Sequence, residues 1–187
     1  MFYRIDGDFF TTTDLSKLEC PIHVVTNRAI DLTTPAWIKS EIFFDGKYSE
    51  ISLLDGTWKL FPEMCKEIID KIYQLSLKKI IVNVEDIRII KTTGNVLPHR
   101  DQIRKSCINI LINSEIATTM FSVNNSFDDY RLDPINVKKF VCRQGEIYLL
   151  DTKNVHSVQQ DHNSSRYLIS VSFMKTYNEI LNIFTDQ

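Results

Sequence analysis

The chain is expected to be mainly β, a sandwich or squashed barrel of short strands backed by helices. Two observations lead there. Residues 80–173 are rich in Ile, Val, Tyr, Phe and Thr, in short runs broken by turn residues, which is how strands read. Ahead of them stands one strongly amphipathic helical segment, and a curved sheet needs such a cover over one of its faces.

The helix begins at Pro62, a residue suited to a first turn, and runs to about Leu77. Met64, Cys65, Ile68, Ile69, Ile72 and Leu75 form one apolar stripe, while Glu63, Lys66, Glu67 and Lys71 fall on the wet side. Strands are expected at about 80–84, 86–92, 96–101, 106–113, 118–123, 137–142, 146–151, 155–159 and 166–174. A second helix is expected from Tyr177 to Phe184, short and weakly capped. Between Ile42 and Leu60 the turn pairs Asp45-Gly46 and Asp55-Gly56 alternate with short apolar runs, which reads as a hairpin or a loop-rich flank. No linker, repeat or low-complexity tract divides the 187 residues, so one domain is expected: a flank with its helix over 1–78 and a β-core over 79–175.

Composition narrows the function. The formal charge is −2, from 22 basic and 24 acidic residues, and lacks the basic field that holds a nucleic acid. Cys20, Cys65, Cys107 and Cys142 lie too far apart for a zinc knuckle or redox pair and read as buried free thiols. Asp6 and Asp8 interrupt any signal-peptide pattern, and no segment approaches the ~18 apolar residues of a membrane span. The expectation is a soluble cytoplasmic protein, without nucleic-acid or membrane partners.

The chemistry lies in His99-Arg100-Asp101 and in His156. Residues two apart on a strand share a face, so His99 and Asp101 project together while Arg100 points away. His156 follows Asp101 by 55 residues, within GEIYLLDTKNVHSV, where Thr152 to Asn154 forms a turn. Two neutral imidazoles and one carboxylate are the facial triad that non-haem iron(II) favours, with adjacent positions left open. A surface or core histidine is the plainer reading of either His taken alone. Arg166 comes ten residues after His156, at the start of RYLISVSF, so the loop from Gln160 to Ser165 is expected to return the chain beside the His156 strand. Its guanidinium suits a bidentate pair with a carboxylate; the plainer alternative is an edge-strand arginine in a surface ion pair.

The order His-x-Asp, a long gap, His, then Arg resembles the 2-oxoglutarate/iron(II) oxygenase superfamily over Ile87 to Met174. The contexts LPHRDQIRKSCINILIN and GEIYLLDTKNVHSVQQDHNSSRYLISVSF look similar to the aspartyl/asparaginyl β-hydroxylase-like branch, which includes hydroxylases of free proline. That branch usually ends its last strand in Asp-Phe, where this chain has Ser172-Phe173. The resemblance implies a double-stranded β-helix, the cupin-like jelly roll. It also implies iron(II), 2-oxoglutarate as cosubstrate and O2, with hydroxylation of a C–H bond accompanied by release of succinate and CO2. His99, Asp101 and His156 are then the metal ligands and the catalytic centre. Arg166 holds the distal cosubstrate carboxylate, with Arg104, which matches an arginine of that branch, as rival or helper.

Asn109, Ser170 and Ser172 share inward parity and are candidates for a cosubstrate oxygen, although a buried Ser or Asn meeting its own backbone is commoner. His23 and His162 lack a ligand partner at strand spacing. Arg28, Arg100, Arg131 and Tyr130 are candidates for a substrate carboxylate, but long polar stretches are ordinarily solvated surface. The expected substrate is a small amino acid or a peptide segment. Two competing readings are a cupin-like isomerase or epimerase with another metal, and a non-catalytic β-sandwich interaction module. An interaction module has no reason to gather three ligands around one ion.

Overall fold

The computed structural model describes residues 1–11, 24–26, 50–54, 59, 61–93, 96–101, 103–113, 116–125, 136–160 and 165–186. Eleven strands and two α-helices occur among them. The strands are β1 (Phe2–Asp8), β2 (Val24–Thr26), β3 (Glu50–Leu54), β4 (Ile87–Thr93), β5 (Val96–His99), β6 (Ser106–Leu111), β7 (Ala117–Ser122), β8 (Val137–Cys142), β9 (Glu146–Asp151), β10 (His156–Gln160) and β11 (Ser165–Phe173). Helix α1 spans Pro62–Leu75 and α2 spans Tyr177–Thr185.

Pairing defines the architecture. β4 pairs with β11, β5 with β10, β6 with β9 and β7 with β8, all antiparallel, as in one long hairpin. Successive pairs fall in alternate sheets: one sheet has the order β1-β9-β6-β11-β4-β3-β2 and the other β5-β10-β7-β8. A hairpin rolled up in this way is a jelly roll, the double-stranded β-helix.

The large sheet is apolar on both faces, and the alternation of each strand decides which residue goes where. Ile87 and Ile89 of β4, Ile108 and Ile110 of β6, Ile147 and Leu149 of β9, and Ile169 and Val171 of β11 pack under the helices with Met64, Ile68, Ile72, Ile180 and Phe184. The intervening residues face the small sheet. Ile90, Val96, Ala117, Val158 and Leu168 form one inner cluster; Cys107, Leu111, Phe121, Cys142, Tyr148 and Leu150 form another. Cys65, Cys107 and Cys142 are buried free thiols, and Cys20 lies outside the described residues. No helix among the described residues is long and apolar enough to cross a membrane.

Several local expectations are corrected. Residues 80–83 form no strand: Ile80 and Val82 are buried in the core under the helices, in irregular chain that leads through the extended Asn83 into a 3-10 turn at Val84–Asp86. Helix α2 is well capped, because Thr176 accepts from the Glu179 amide while the Glu179 carboxylate accepts from the Thr176 amide, a capping box. β3 pairs with β2 and β4, so the apolar run at 50–54 belongs to the large sheet. The expected turn pairs at 45–46 and 55–56 lie outside the described residues, as do His23, Arg28, Tyr130, Arg131 and His162.

Candidate metal centre

His99 ends β5 and His156 begins β10, and the two face each other directly in the antiparallel register. Their rings lie 4.3 Å apart between centroids. Asp101 follows two residues after His99, and its amide donates to the Thr152 carbonyl at 2.9 Å, which ties the His-x-Asp segment to the turn before His156. One ligand atom from each of His99, Asp101 and His156 lies within 4.8 Å of the others. Small side-chain rotations bring such a set to the ~2.0–2.2 Å of metal–ligand bonds.

Second contacts aim the ligand atoms. His156 Nδ1 lies 2.9 Å from the Asn154 carbonyl and donates to it, leaving Nε2 with its lone pair toward the cluster. Phe121 stacks on the same ring at 5.4 Å. Burial, then neighbouring His99, lowers the His156 pKa to about 3, so the imidazole is neutral. Burial alone would raise the Asp101 carboxyl; the charge and hydrogen bond of Arg104 outweigh it and hold the group below its ordinary value. Arg104 Nε donates to Asp101 Oδ2, leaving Oδ1, 3.8 Å from His99 Nε2, for an ion. The arrangement offers two neutral nitrogens and one anionic oxygen, a set that can hold a divalent metal.

The metal-free protein should carry a pH signature. The His156 folded value of about 3 lies below its ordinary 6.5, so between these values the unfolded chain binds the extra proton. Stability is whole above pH 6.5 and falls as the pH drops, by on the order of 1 kcal/mol per pH unit. Urea midpoints of the metal-free protein from pH 7 to 4 check this. His156→Gln should flatten the slope, and an unchanged slope in that variant contradicts the assignment.

No protein-family model matches the chain, and no curated protein matches it. Among solved structures it is similar to the non-heme α-ketoglutarate-dependent epimerase SnoN of nogalamycin biosynthesis, at 10% identity and a TM-score of 0.44, over 65% of this chain and 61% of that one. It is also similar to vicilin from hazelnut, Corylus avellana (11% identity, TM-score 0.37, 68% of this chain and 30% of that one). A third is the CENP-C cupin domain of Drosophila melanogaster (10% identity, TM-score 0.35, 46% and 59%). The chain spans less than two thirds of each of these proteins. At such identities the chemistry must come from this chain's own residues.

The remaining candidates divide by position. Arg166 lies near the start of β11, an interior strand of the large sheet, where it stands opposite Thr92 of β4, so it is not on an edge strand as in the plainer reading. β11 also does not run beside the His156 strand, as the ten-residue spacing suggested: β10 and β11 belong to different sheets, because the chain crosses between layers at this point of the roll. Arg166 is 6% exposed, and its Nε has no hydrogen-bond partner among the described residues. Burial lowers its pKa to about 10, still far above neutrality, so a positive charge is buried there. Arg104 is differently placed, donating to Asp101 and, at 2.6 Å, to Ser170 Oγ. Asn109 stands opposite Ser170 in the register and lies 3.4 Å from the Cys107 thiol. Ser172, half-buried, stands opposite Cys107.

Sequence reasoning missed Asn125. Its Oδ1 accepts from the Val155 amide at 2.8 Å and from Arg100 Nε at 3.3 Å, and its carbonyl accepts from the same guanidinium. One amide thereby joins the residue between two candidate ligands to the neighbour of the third. Asn125 has φ +52, a left-handed conformation that Asn and Gly tolerate, and the turn-forming pair Asn124-Asn125 is the sequence signal for it. Asn125→Gly keeps the backbone and removes the clasp, so metal affinity should fall about tenfold with the fold intact, read by equilibrium dialysis. Lys153 adds a second tie, Nζ to the Asp101 carbonyl at 2.9 Å, and Thr152 Oγ1 holds the Arg104 carbonyl at 3.0 Å.

Proposed function

We propose that the protein is an iron(II)- and 2-oxoglutarate-dependent oxygenase that hydroxylates a C–H bond of a small amino acid or peptidyl substrate, releasing succinate and CO2. The observation that carries this reading is the His99, Asp101, His156 cluster together with a buried cation in the same roll, Arg166, whose Nε has no hydrogen-bond partner among the described residues. Two histidines and one carboxylate suit ferrous iron and leave coordination positions free for a chelating 2-oxo acid and dioxygen. Burying a charge is costly, and a carboxylate that enters with the cosubstrate would offset that cost at Arg166. Iron bound with 2-oxoglutarate and O2 supplies the oxidising power for C–H hydroxylation.

The chain's own residues have distinct tasks in this reading. His156 is held in one tautomer by Asn154, and Asp101 is held by Arg104 through Oδ2, which would leave Oδ1 to hold the metal. Arg166 orients the cosubstrate by its distal carboxylate. Phe121 and the inner apolar clusters keep water from the reacting centre. The partner is a small molecule or peptide rather than nucleic acid, in keeping with the charge of −2.

Turnover tests the reading. The iron-loaded protein should convert 2-oxoglutarate to succinate with O2 uptake, stimulated by its substrate among free amino acids and peptides, and the product should gain one oxygen atom. Stimulation by oligonucleotides alone contradicts the substrate class. Metal-dependent conversion of a substrate without 2-oxoglutarate consumption contradicts the oxygenase reading and favours an isomerase.

A further inference from the structure

Helix α1 ends in a turn that sets apolar side chains in water. The Lys78 amide donates to the Tyr73 carbonyl at 2.7 Å and the Leu77 amide to the Gln74 carbonyl at 3.0 Å, the paired bonds of a Schellman C-cap. Such a cap places the first residue beyond the helix in the left-handed region, where glycine is the usual occupant. Here Leu77 has φ +50 and Lys78, directly after it, φ +67. Side chains with a Cβ are strained in that region, and two stand there in succession. The turn is held in place all the same. Ser76 Oγ donates to the Tyr73 carbonyl at 3.1 Å and accepts from the Ile80 amide at 3.0 Å, and Ile80 and Val82 are buried in the core under the helices. Ile81, between those two anchors, is 82% exposed; Leu77 is 56% exposed, and Tyr73, one turn earlier on α1, is 39% exposed.

The charges of the turn narrow what covers it. Lys78 and Lys79 are exposed beside the apolar side chains. From Tyr73 to Val82 the chain carries these two lysines and no acid, the nearest acids on either side being Asp70 and Glu85. The partner is therefore apolar and anionic at once. A stable protein interface buries about 800 Å² on each side, more than one turn with three apolar side chains offers. A lipid surface needs no such area. Apolar side chains enter the headgroup layer singly, tyrosine settles at its level, and lysines stretch along it to reach phosphates. The lack of an apolar run long enough to span a membrane does not bear on docking of this kind.

We infer that the turn from Leu77 to Ile81 docks the protein on an anionic lipid surface, with Leu77 and Ile81 entering the headgroup layer and Lys78 and Lys79 binding its phosphates. The left-handed leucine then has a use: glycine in its place relieves the strain and removes the contact. The inference stands apart from the metal centre and from the oxygenase reading.

Vesicle flotation tests it, with the full chain and vesicles of phosphatidylcholine alone or mixed with phosphatidylserine. The native protein should bind the mixed vesicles, bind the neutral ones about tenfold more weakly, and lose most of its binding at high salt. Leu77→Ser combined with Ile81→Ser should weaken binding about tenfold or more, and Lys78→Ser combined with Lys79→Ser about tenfold, both with metal affinity unchanged. Leu77→Gly should raise the urea midpoint while it weakens vesicle binding, which separates loss of the contact from loss of the fold. No binding to the mixed vesicles, equal binding to the neutral ones, or undiminished binding in either double variant would each overturn the inference. Self-association of the native protein without vesicles, abolished by Leu77→Ser with Ile81→Ser, would overturn it too, since the surface then belongs to a second copy of the chain.

Discussion

Asp101→Ala is expected to abolish tight metal binding, with a loss of at least a hundredfold in iron(II) affinity, since the only anionic ligand of the set disappears. It also has a second effect. Arg104, whose side chain is 22% exposed, then has no carboxylate, and losing this part-buried partner costs about 1–3 kcal/mol of stability. The two effects separate in a double variant: Asp101→Ala with Arg104→Met should recover much of the stability and none of the metal affinity. Equilibrium dialysis with iron(II) and urea unfolding of the metal-free proteins measure the two quantities. Asp101→Glu should retain a displaced, weaker metal site. Undiminished metal affinity in Asp101→Ala would remove this residue from the ligand set.

Arg166→Ala should weaken 2-oxoglutarate binding by about two to three orders of magnitude, the equivalent of losing one partner of a buried charge pair. Without cosubstrate the same change should leave stability unchanged or raise it, because it removes a buried guanidinium whose Nε has no partner among the described residues. Arg104→Ala should show the opposite profile, with weaker metal binding, lower stability and a smaller effect on 2-oxoglutarate, because its partners are Asp101 and Ser170. Titration of 2-oxoglutarate into each iron-loaded variant distinguishes the two. A large loss in Arg104→Ala alongside an unchanged affinity in Arg166→Ala reverses the assignment.

Periodicity revealed most of the roll because its strands are short and locally patterned. α1 ends at Leu75, close to its expected end, and β8 and β9 match their expected spans. The same logic failed at residues 80–84, where Ile80 and Val82 alternate as strand residues do but are buried beneath the helices in chain that pairs with no strand. β1 was missed for the opposite reason. Its pairing partner is β9, far along the chain, and nothing within Phe2–Asp8 announces that edge. The site divides in a similar way. His99 and Asp101 are local, two residues apart, but β5 ends at His99, so Asp101 reaches the site from the irregular segment after the strand and not by the strand alternation expected over 96–101. The register that sets His156 opposite His99 depends on β10 returning beside β5, a long-range pairing that spacing alone does not specify. The Arg104 contact with Asp101 arises in the irregular segment after β5, and the Asn125 clasp in the turn after β7, where no periodicity operates.

The central claim is that one ion held by His99, Asp101 and His156 binds 2-oxoglutarate. Its most direct test is an anaerobic titration of the protein with iron(II) and then 2-oxoglutarate, followed by visible absorbance. The account predicts a weak charge-transfer band that appears only when both are present, saturates at one equivalent of each, and is absent in Asp101→Ala. No band with the native protein, or an undiminished band in Asp101→Ala, contradicts it.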